Sequence, residues 1–273
     1  MICFPNAKIN LGLHVVEKRP DGFHNIETVF YPVNLCDTLE IISGENDTVK
    51  FTTSGLPIPG EPAGNLIPKA YNLLFSRIQS SSDPGSRIHL HKVIPTGAGL
   101  GGGSSDAAYT LKLLNDLWQL NLSVPHLQHF ARQLGSDCAF FIENKPVVAT
   151  GRGDHFESID LDLSGYQIVV AVPPVHVSTP EAYGMVTPQK PFRSLADIIK
   201  QPIETWRGNL VNDFEEPVMN KFPVIREINE ELYNQGALYA AMSGSGSAVF
   251  GLFSPQLAVG SWQFDSSIRV YLL

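Results

Sequence analysis

Cationic runs are missing from this 273-residue chain: 19 Lys and Arg stand against 27 Asp and Glu, for a formal net charge of −8. Without a basic stretch there is no electrostatic footprint for nucleic acid or anionic lipid, so neither is expected as a partner. Cysteine is scarce too. Cys3, Cys36 and Cys138 are far apart, which excludes a disulfide framework and leads us to expect reduced thiols in a cytoplasmic setting. His89-x-His91 and His126-x-x-His129 have ligand-like spacing but no companion Cys or carboxylate cluster, so no protein-held metal is expected. The longest uncharged run, 232–264, is broken by Asn234, Gln235, Gly236, Gly244, Gly246, Gly251 and Pro255, which argues against a spanning helix. Lys8 lies inside the first apolar stretch, so the beginning does not read as a signal peptide.

What the chain has in quantity is turn-formers, 23 Gly and 20 Pro, dispersed among short apolar segments. Its length predicts one large or two modest domains that fold by burial alone. Ile9, Leu11 and Leu13 alternate, so 7–16 reads as a strand, with Asp21-Gly22 turning the chain into a return strand over 26–35. Further strands over 39–43 and 49–53, joined by short connections, predict an antiparallel or mixed sheet. Asn65 is placed to cap a helix whose Ile67, Ala70 and Leu74 share a face; 80–86 reads as a polar loop. Over 88–93, Ile88, Leu90 and Lys92 fall on one face. Ala107, Leu111, Leu114 and Trp118 then recur at helical spacing, and a second helix carries Leu127, Phe130, Ala131 and Leu134 between Ser123 and Gly135. After Gly151-Arg152-Gly153 the pattern restarts: strands over 167–172, 239–243, 248–253 and 268–272, with helices near 194–199 and 224–233. We therefore set a domain boundary at 155, giving 1–155 and 156–273.

The densest motif is Pro95-Thr96-Gly97-Ala98-Gly99-Leu100-Gly101-Gly102-Gly103-Ser104-Ser105, leading directly into the helix of Ala107. Five glycines strip side chains from the backbone, and a helix start offers free N–H donors and partial positive charge, so the pair predicts a phosphate cradle. A Walker A loop is excluded because Gly103 stands where its Lys is required. Gly97-x-Gly99-x-x-Gly102 matches the dinucleotide fingerprint literally, but the preceding strand carries His89, His91 and Lys92 where that fold wants an apolar one. In Leu134-Gly-Ser-Asp137, Asp137 reads either as the cap of the next turn, the commoner case, or as a carboxylate able to take a hydroxyl proton. Lys8 and Asn10, two apart on a strand, are either surface residues or reach a phosphate or hydroxyl. Met242-Ser243-Gly244-Ser245-Gly246-Ser247 is a hairpin turn or a second anion-facing loop.

These elements in this order resemble the GHMP kinase superfamily. Pro5-Asn-Ala-Lys-Ile-Asn10-Leu, Arg19-Pro-Asp-Gly-Phe-His24, Leu134-Gly-Ser-Asp137 and Ala149-Thr-Gly-Arg-Gly153 resemble, more closely, its branch acting on a cytidine-diphosphate-bearing alcohol of the non-mevalonate isoprenoid pathway. The resemblance implies a two-domain α+β fold, ribosomal protein S5 domain 2-like then ferredoxin-like, with the active site in the cleft between. It implies an ATP-dependent kinase phosphorylating a 2-hydroxyl, with Mg²⁺ carried by the nucleotide, working as a monomer or homodimer. By the same resemblance, residues 95–105 wrap the ATP phosphates and Asn65 lies near the nucleotide. Asp137 is the general base and Lys8 holds it and the hydroxyl. His24 pairs with the cytosine edge while Phe23 and Tyr183 sandwich the ring. Asn10, Lys92 and Thr179 lie along the diphosphate and erythritol, and Ser243, Gly244, Ser245 and Gly246 support the phosphate loop. Phe23 replaces the branch's commoner Tyr, Cys138-Ala139 its frequent Val-Pro, and 192–207 matches nothing in the pattern. The competing expectations are another alcohol kinase such as a homoserine or mevalonate kinase, a nicotinamide-dependent oxidoreductase built on Gly97 to Gly102, and a nucleotide sensor without activity.

Overall fold

The computed structural model describes residues 1–44, 49–77, 85–257 and 264–273. The chain runs through β1 (Ile2–Cys3), β2 (Asn6–Lys18), β3 (His24–Cys36), β4 (Thr38–Ser43), β5 (Val49–Gly55), α1 (Leu66–Phe75), β6 (Ser86–Lys92), α2 (Gly102–Leu117), α3 (Val124–Leu134) and α4 (Phe140–Glu143). It continues through β7 (Val147–Thr150), β8 (His155–Ser158), β9 (Gln167–Val172), α5 (Thr179–Gly184), α6 (Leu195–Ile198), α7 (Glu215–Lys221), α8 (Pro223–Asn234), β10 (Tyr239–Met242), β11 (Val249–Phe253) and β12 (Arg269–Leu272). Two compact units form. One takes Met1–Ala7, Asn34–Thr96 and Gly101–Lys145; the other takes Lys8–Val33, Gly97–Leu100 and Pro146–Leu273.

In the first unit the sheet order is β1-β4-β6-β5, antiparallel except for the parallel β5–β6 pair, which makes it mixed. The parallel pair requires a long connection, and α1 lies within it. Asn65 caps that helix, its side chain accepting from Ile67 N at 2.9 Å, and Ile67, Ala70, Tyr71 and Leu74 are buried. The apolar stripe of α2, Ala107, Ala108, Leu111 and Leu114, is buried as its spacing requires, and Trp118 just past its end meets Tyr71 edge-on at 5.1 Å. Ser123 sits at the start of α3 without capping it; its hydroxyl meets His126 Nδ1 at 2.9 Å instead. Most of the polar stretch 80–86 lies outside the described residues.

The second unit holds two sheets, β2-β3-β7-β8 and the antiparallel β10-β11-β9-β12. Every residue of β2 from Asn6 to Val15 is buried, so both faces of that strand are covered. Ile225, Ile228 and Leu232 of α8 join Val169, Ala171 and Val249 in one core, as their i, i+3, i+7 spacing requires. The uncharged run 232–264 therefore supplies core strands, with 258–263 outside the described residues. The segment 192–207, which matched no pattern, is structural: Ser194 caps α6 and donates to Glu27 Oε1 at 2.5 Å, while the indole of Trp206 is buried edge-on against Tyr239. Among the described residues, no helix is long and apolar enough to cross a membrane.

Candidate functional site

In the second unit the Gly-rich stretch is held by its carbonyls. Ala98 O accepts from Ala248 N at 3.0 Å, Leu100 O from Lys8 N at 3.0 Å, and Gly99 O from both Lys8 Nζ at 2.8 Å and Ser243 Oγ at 2.9 Å. Lys8 Nζ also donates to Asn10 Oδ1 at 2.5 Å, and Asn10 Nδ2 donates to Thr28 Oγ1 at 2.9 Å. Lys8 and Asn10 are thus not the surface pair that an ordinary half-exposed strand would give; both are buried, 3% and 2% exposed. Glycine at 99 is obligatory: its φ is +80°, and a Cβ there would lie 1.9 Å from Ser243 O. The 242–248 turn closes the β10–β11 hairpin, the first of its two readings, and its Ser243 also donates to Gly99 O. Ser245 Oγ reaches Thr179 Oγ1 at 3.3 Å.

The same unit stacks His24 on Tyr183, ring centroids 4.6 Å apart and 15° between planes, with Phe214 edge-on behind Tyr183 at 5.0 Å. The exposed ring of Phe23 carries the Arg152 guanidinium at 5.0 Å. The expectation paired Phe23 with Tyr183 about a ring; the observed pairs are His24 with Tyr183 and Arg152 with Phe23. Burial, and secondarily Lys18, lowers the His24 pKa, favouring neutral imidazole, which has one donor and one acceptor nitrogen.

In the first unit, Gly101 precedes α2 in the left-handed conformation at φ +71° and no side chain caps the helix. The N–H groups of Gly102, Gly103 and Ser104 have no acceptor within it. Asp137 lies inside the 3₁₀ turn Ser136–Ala139, half-buried, and does not cap it; the capping expectation fails because Gly135 occupies the cap position. Its neighbour Cys138 is fully buried, and its thiol, hydrogen-bonded with Ser104, is pushed up to about 12 by burial. That contact puts the Asp137 turn beside the start of α2. A thiol so protonated is chemically quiet.

Lys92 requires a correction. It was expected along the substrate, yet it is 2% exposed and its Nζ is held at 2.5 Å by Asp37 Oδ2 and at 2.6 Å by Asp106 Oδ2. A buried ammonium already held by two carboxylates is a structural group, and we withdraw it from the substrate contacts. Asn65 spends its side-chain oxygen on the α1 cap.

Several residues that support the site went unread in the sequence. Asn212 Nδ2 donates to Met242 O at 2.9 Å and Gly244 O at 2.8 Å, and Glu215 Oε1 accepts from Met242 N at 2.6 Å. Together they brace the turn that holds Gly99. Burial pushes Glu215 up to about 7, opposed by its hydrogen bonds to the backbone at Met242 and Asn212. The exposed His176 lies against Gly97, where a Cβ would come within 2.8 Å of its Cε1. The signal for the brace was Asn212-Asp213-Phe214-Glu215, a polar burst after uncharged Leu210-Val211.

The first unit thus holds an uncapped helix start, and the second a Gly97–Leu100 stretch carried on Lys8 and, through it, Asn10. Residues 65–145 match the GHMP kinases N terminal domain and 194–260 match GHMP kinases C terminal. The fold is shared with the Methanococcus jannaschii mevalonate kinase at TM-score 0.72 and 14% identity, over all of this chain and 97% of that one. GHMP kinases are ATP-dependent phosphotransferases acting on small-molecule alcohols. A Bacteroides fragilis 4-diphosphocytidyl-2-C-methyl-D-erythritol kinase is 53% identical over 98% of this chain and 97% of its own length. The crystal structure of a 4-(cytidine 5'-diphospho)-2C-methyl-D-erythritol kinase is matched at TM-score 0.79 and 31% identity, over 100% of this chain and 98% of that one. The chain belongs to this family of GHMP kinases. The dinucleotide reading of Gly97 to Gly102 is thereby set aside.

Proposed function

We propose that this chain transfers the γ-phosphoryl group of ATP to the 2-hydroxyl of 4-diphosphocytidyl-2-C-methyl-D-erythritol, in the cytoplasm and in the non-mevalonate isoprenoid pathway. The carrying observation is how the loop spends its backbone groups. The carbonyls of Ala98, Gly99 and Leu100 all accept from protein donors, and the first turn of α2 has no side-chain cap. What such a loop has left to offer is N–H, the donor that phosphate oxygens require. This local donor set answers the anionic nucleotide where a net charge of −8 does not.

Phosphoryl transfer asks chiefly for positioning and neutralisation of charge. Mg²⁺ carried by the nucleotide would supply part of that neutralisation, keeping several of its waters. Asp137 accepts the proton of the substrate hydroxyl, and Lys8 orients that hydroxyl and the carboxylate. Asn65 lies near the nucleotide, and residues 243–246 support the loop. Asn10 and Thr179 line the diphosphate and erythritol. His24, held neutral, reads the cytosine edge, while Phe23 and Tyr183 offer stacking faces. The 1–155 part carries the nucleotide side and 156–273 the substrate side, in a monomer or homodimer.

The test is transfer from ATP to 4-diphosphocytidyl-2-C-methyl-D-erythritol, with mevalonate and homoserine as alternative acceptors. Transfer to the cytidyl acceptor alone is expected. Asp137→Asn should cut turnover roughly 10²–10⁴-fold with ATP binding kept, the usual share of a general base. Preference for another alcohol would overturn the substrate, and a near-normal Asp137→Asn rate would remove Asp137 from the mechanism.

A further inference from the structure

One cluster within the first unit has no part in the reaction described above. Asp37, at the corner between β3 and β4, is fully buried; its Oδ1 accepts from Val93 N at 2.6 Å and Ile94 N at 2.8 Å, and its Oδ2 from Lys92 Nζ. Lys92 closes β6, and the same ammonium reaches Asp106 Oδ2 in α2. A Cβ on Gly102, the first residue of α2, would lie 3.1 Å from that Nζ and 2.8 Å from Ile94 Cγ2. Val93 and Ile94 lead directly into Pro95, so the entry to the phosphate loop and the helix that receives its exit are fastened to one ammonium.

Packing does not ask for a charge there. Three buried ionisable groups cost more to desolvate than apolar side chains of the same volume. A cation beside a helix N-terminus also opposes the helix dipole. What the cluster supplies is geometry: one fixed ammonium and a carboxylate on each of two separate elements define the span between β6 and α2. We propose that Asp37, Lys92 and Asp106 form a positioning clamp that holds the two flanks of the phosphate loop at the separation nucleotide phosphates require. The clamp acts through the backbone of 93–106, and its members are positioning residues. The inference rests on the reading of 95–105 as the ATP site.

Two measurements on the full chain test it: steady-state kinetics with each substrate varied, and hydrogen exchange of the 93–106 amides without nucleotide. Lys92→Met should raise the KM for ATP by about 10-fold or more, in keeping with the cost of a misplaced binding group, and leave the KM for the alcohol within about 2-fold. The 93–106 amides should exchange faster than in the unaltered chain. Asp106→Leu, which removes one acceptor, should do the same, and Asp106→Asn, which keeps an oxygen opposite Nζ, should restore most of the affinity. If Lys92→Met does not fold, the Asp106 pair decides: equal KM values for ATP in the Leu and Asn variants overturn the clamp. An unchanged ATP KM with unchanged exchange in Lys92→Met, or an equal rise in both KM values, also overturns it. Absence of ATP-dependent transfer in the unaltered chain would sink the proposed function instead, and the exchange comparison would still judge the clamp.

Discussion

At the scale of single residues, Gly99 carries the most demanding position. Its backbone is left-handed, its carbonyl accepts two hydrogen bonds, and the space its side chain would fill belongs to Ser243 O. Alanine at 99 must both adopt positive φ and push away a backbone atom that the 242–248 turn fixes. We expect Gly99→Ala to cost at least about 1–3 kcal/mol of stability, the range of such local strain. ATP affinity should be lost with it. Urea denaturation beside nucleotide titration checks this, and native stability with native affinity would show that the loop can re-form without its contact to Ser243. That the loop is glycine-rich was plain in the sequence; which glycine is irreplaceable was not, because the reason lies 144 positions further on. The same holds for Lys8 and Asn10. Strand spacing put them on one face, yet their burial is decided by Gly99, Thr28 and Ser243, none of them local.

Among the elements, those with strong periodicity were readable and those fixed by tertiary context were not. The stripes of α2, α3 and α8 bury the residues their spacing selects, except that Trp118 and Leu134, at the ends of α2 and α3, are half-buried, and β2, β3 and β9 fall where alternation or apolar runs put them. Among the described residues six pieces escaped: β1, α4, β7, β8, α5 and α7, of two, four, four, four, six and seven residues. Segments that short show no more than about two periods of either pattern, too few to stand out, so neighbours decide their conformation. The helix α1 allows a separation of roles at its cap. Asn65→Ala should destabilise the chain by about 0.5–2 kcal/mol, the usual worth of a cap, whereas Asn65→Ser should restore most of it. Thermal unfolding reads that difference. An ATP KM that stays raised in Asn65→Ser at restored stability would be the nucleotide role; one that recovers with the cap would make Asn65 a structural residue only.

For the molecule as a whole, the second unit holds a carboxylate whose proton is held unusually tightly. Burial pushes Glu215 up to about 7 from 4.5, opposed by its hydrogen bonds to the backbone at Met242 and Asn212. The folded state therefore holds a proton that the unfolded chain releases near pH 4.5, and it binds more protons between pH 4.5 and 7. Stability contributed by this group is complete below that window and is lost as pH rises to about 7, levelling beyond. The exposed carboxylates of Asp21, Asp162 and Asp265 and the half-buried one of Glu181 are shifted downward by their hydrogen bonds and act in the opposite sense at more acid pH, so the slope of the unaltered chain mixes both effects. Glu215→Gln separates them. An amide keeps an oxygen for Met242 N and has no charge to expel, so the difference in unfolding free energy between variant and parent should move in the variant's favour from pH 4.5 to pH 7.5. Denaturant titrations at half-unit pH steps measure that difference directly. A difference independent of pH would mean that Glu215 ionises in the folded chain as readily as in the unfolded one, and that its hydrogen bonds to the backbone at Met242 and Asn212 compensate the full cost of its burial.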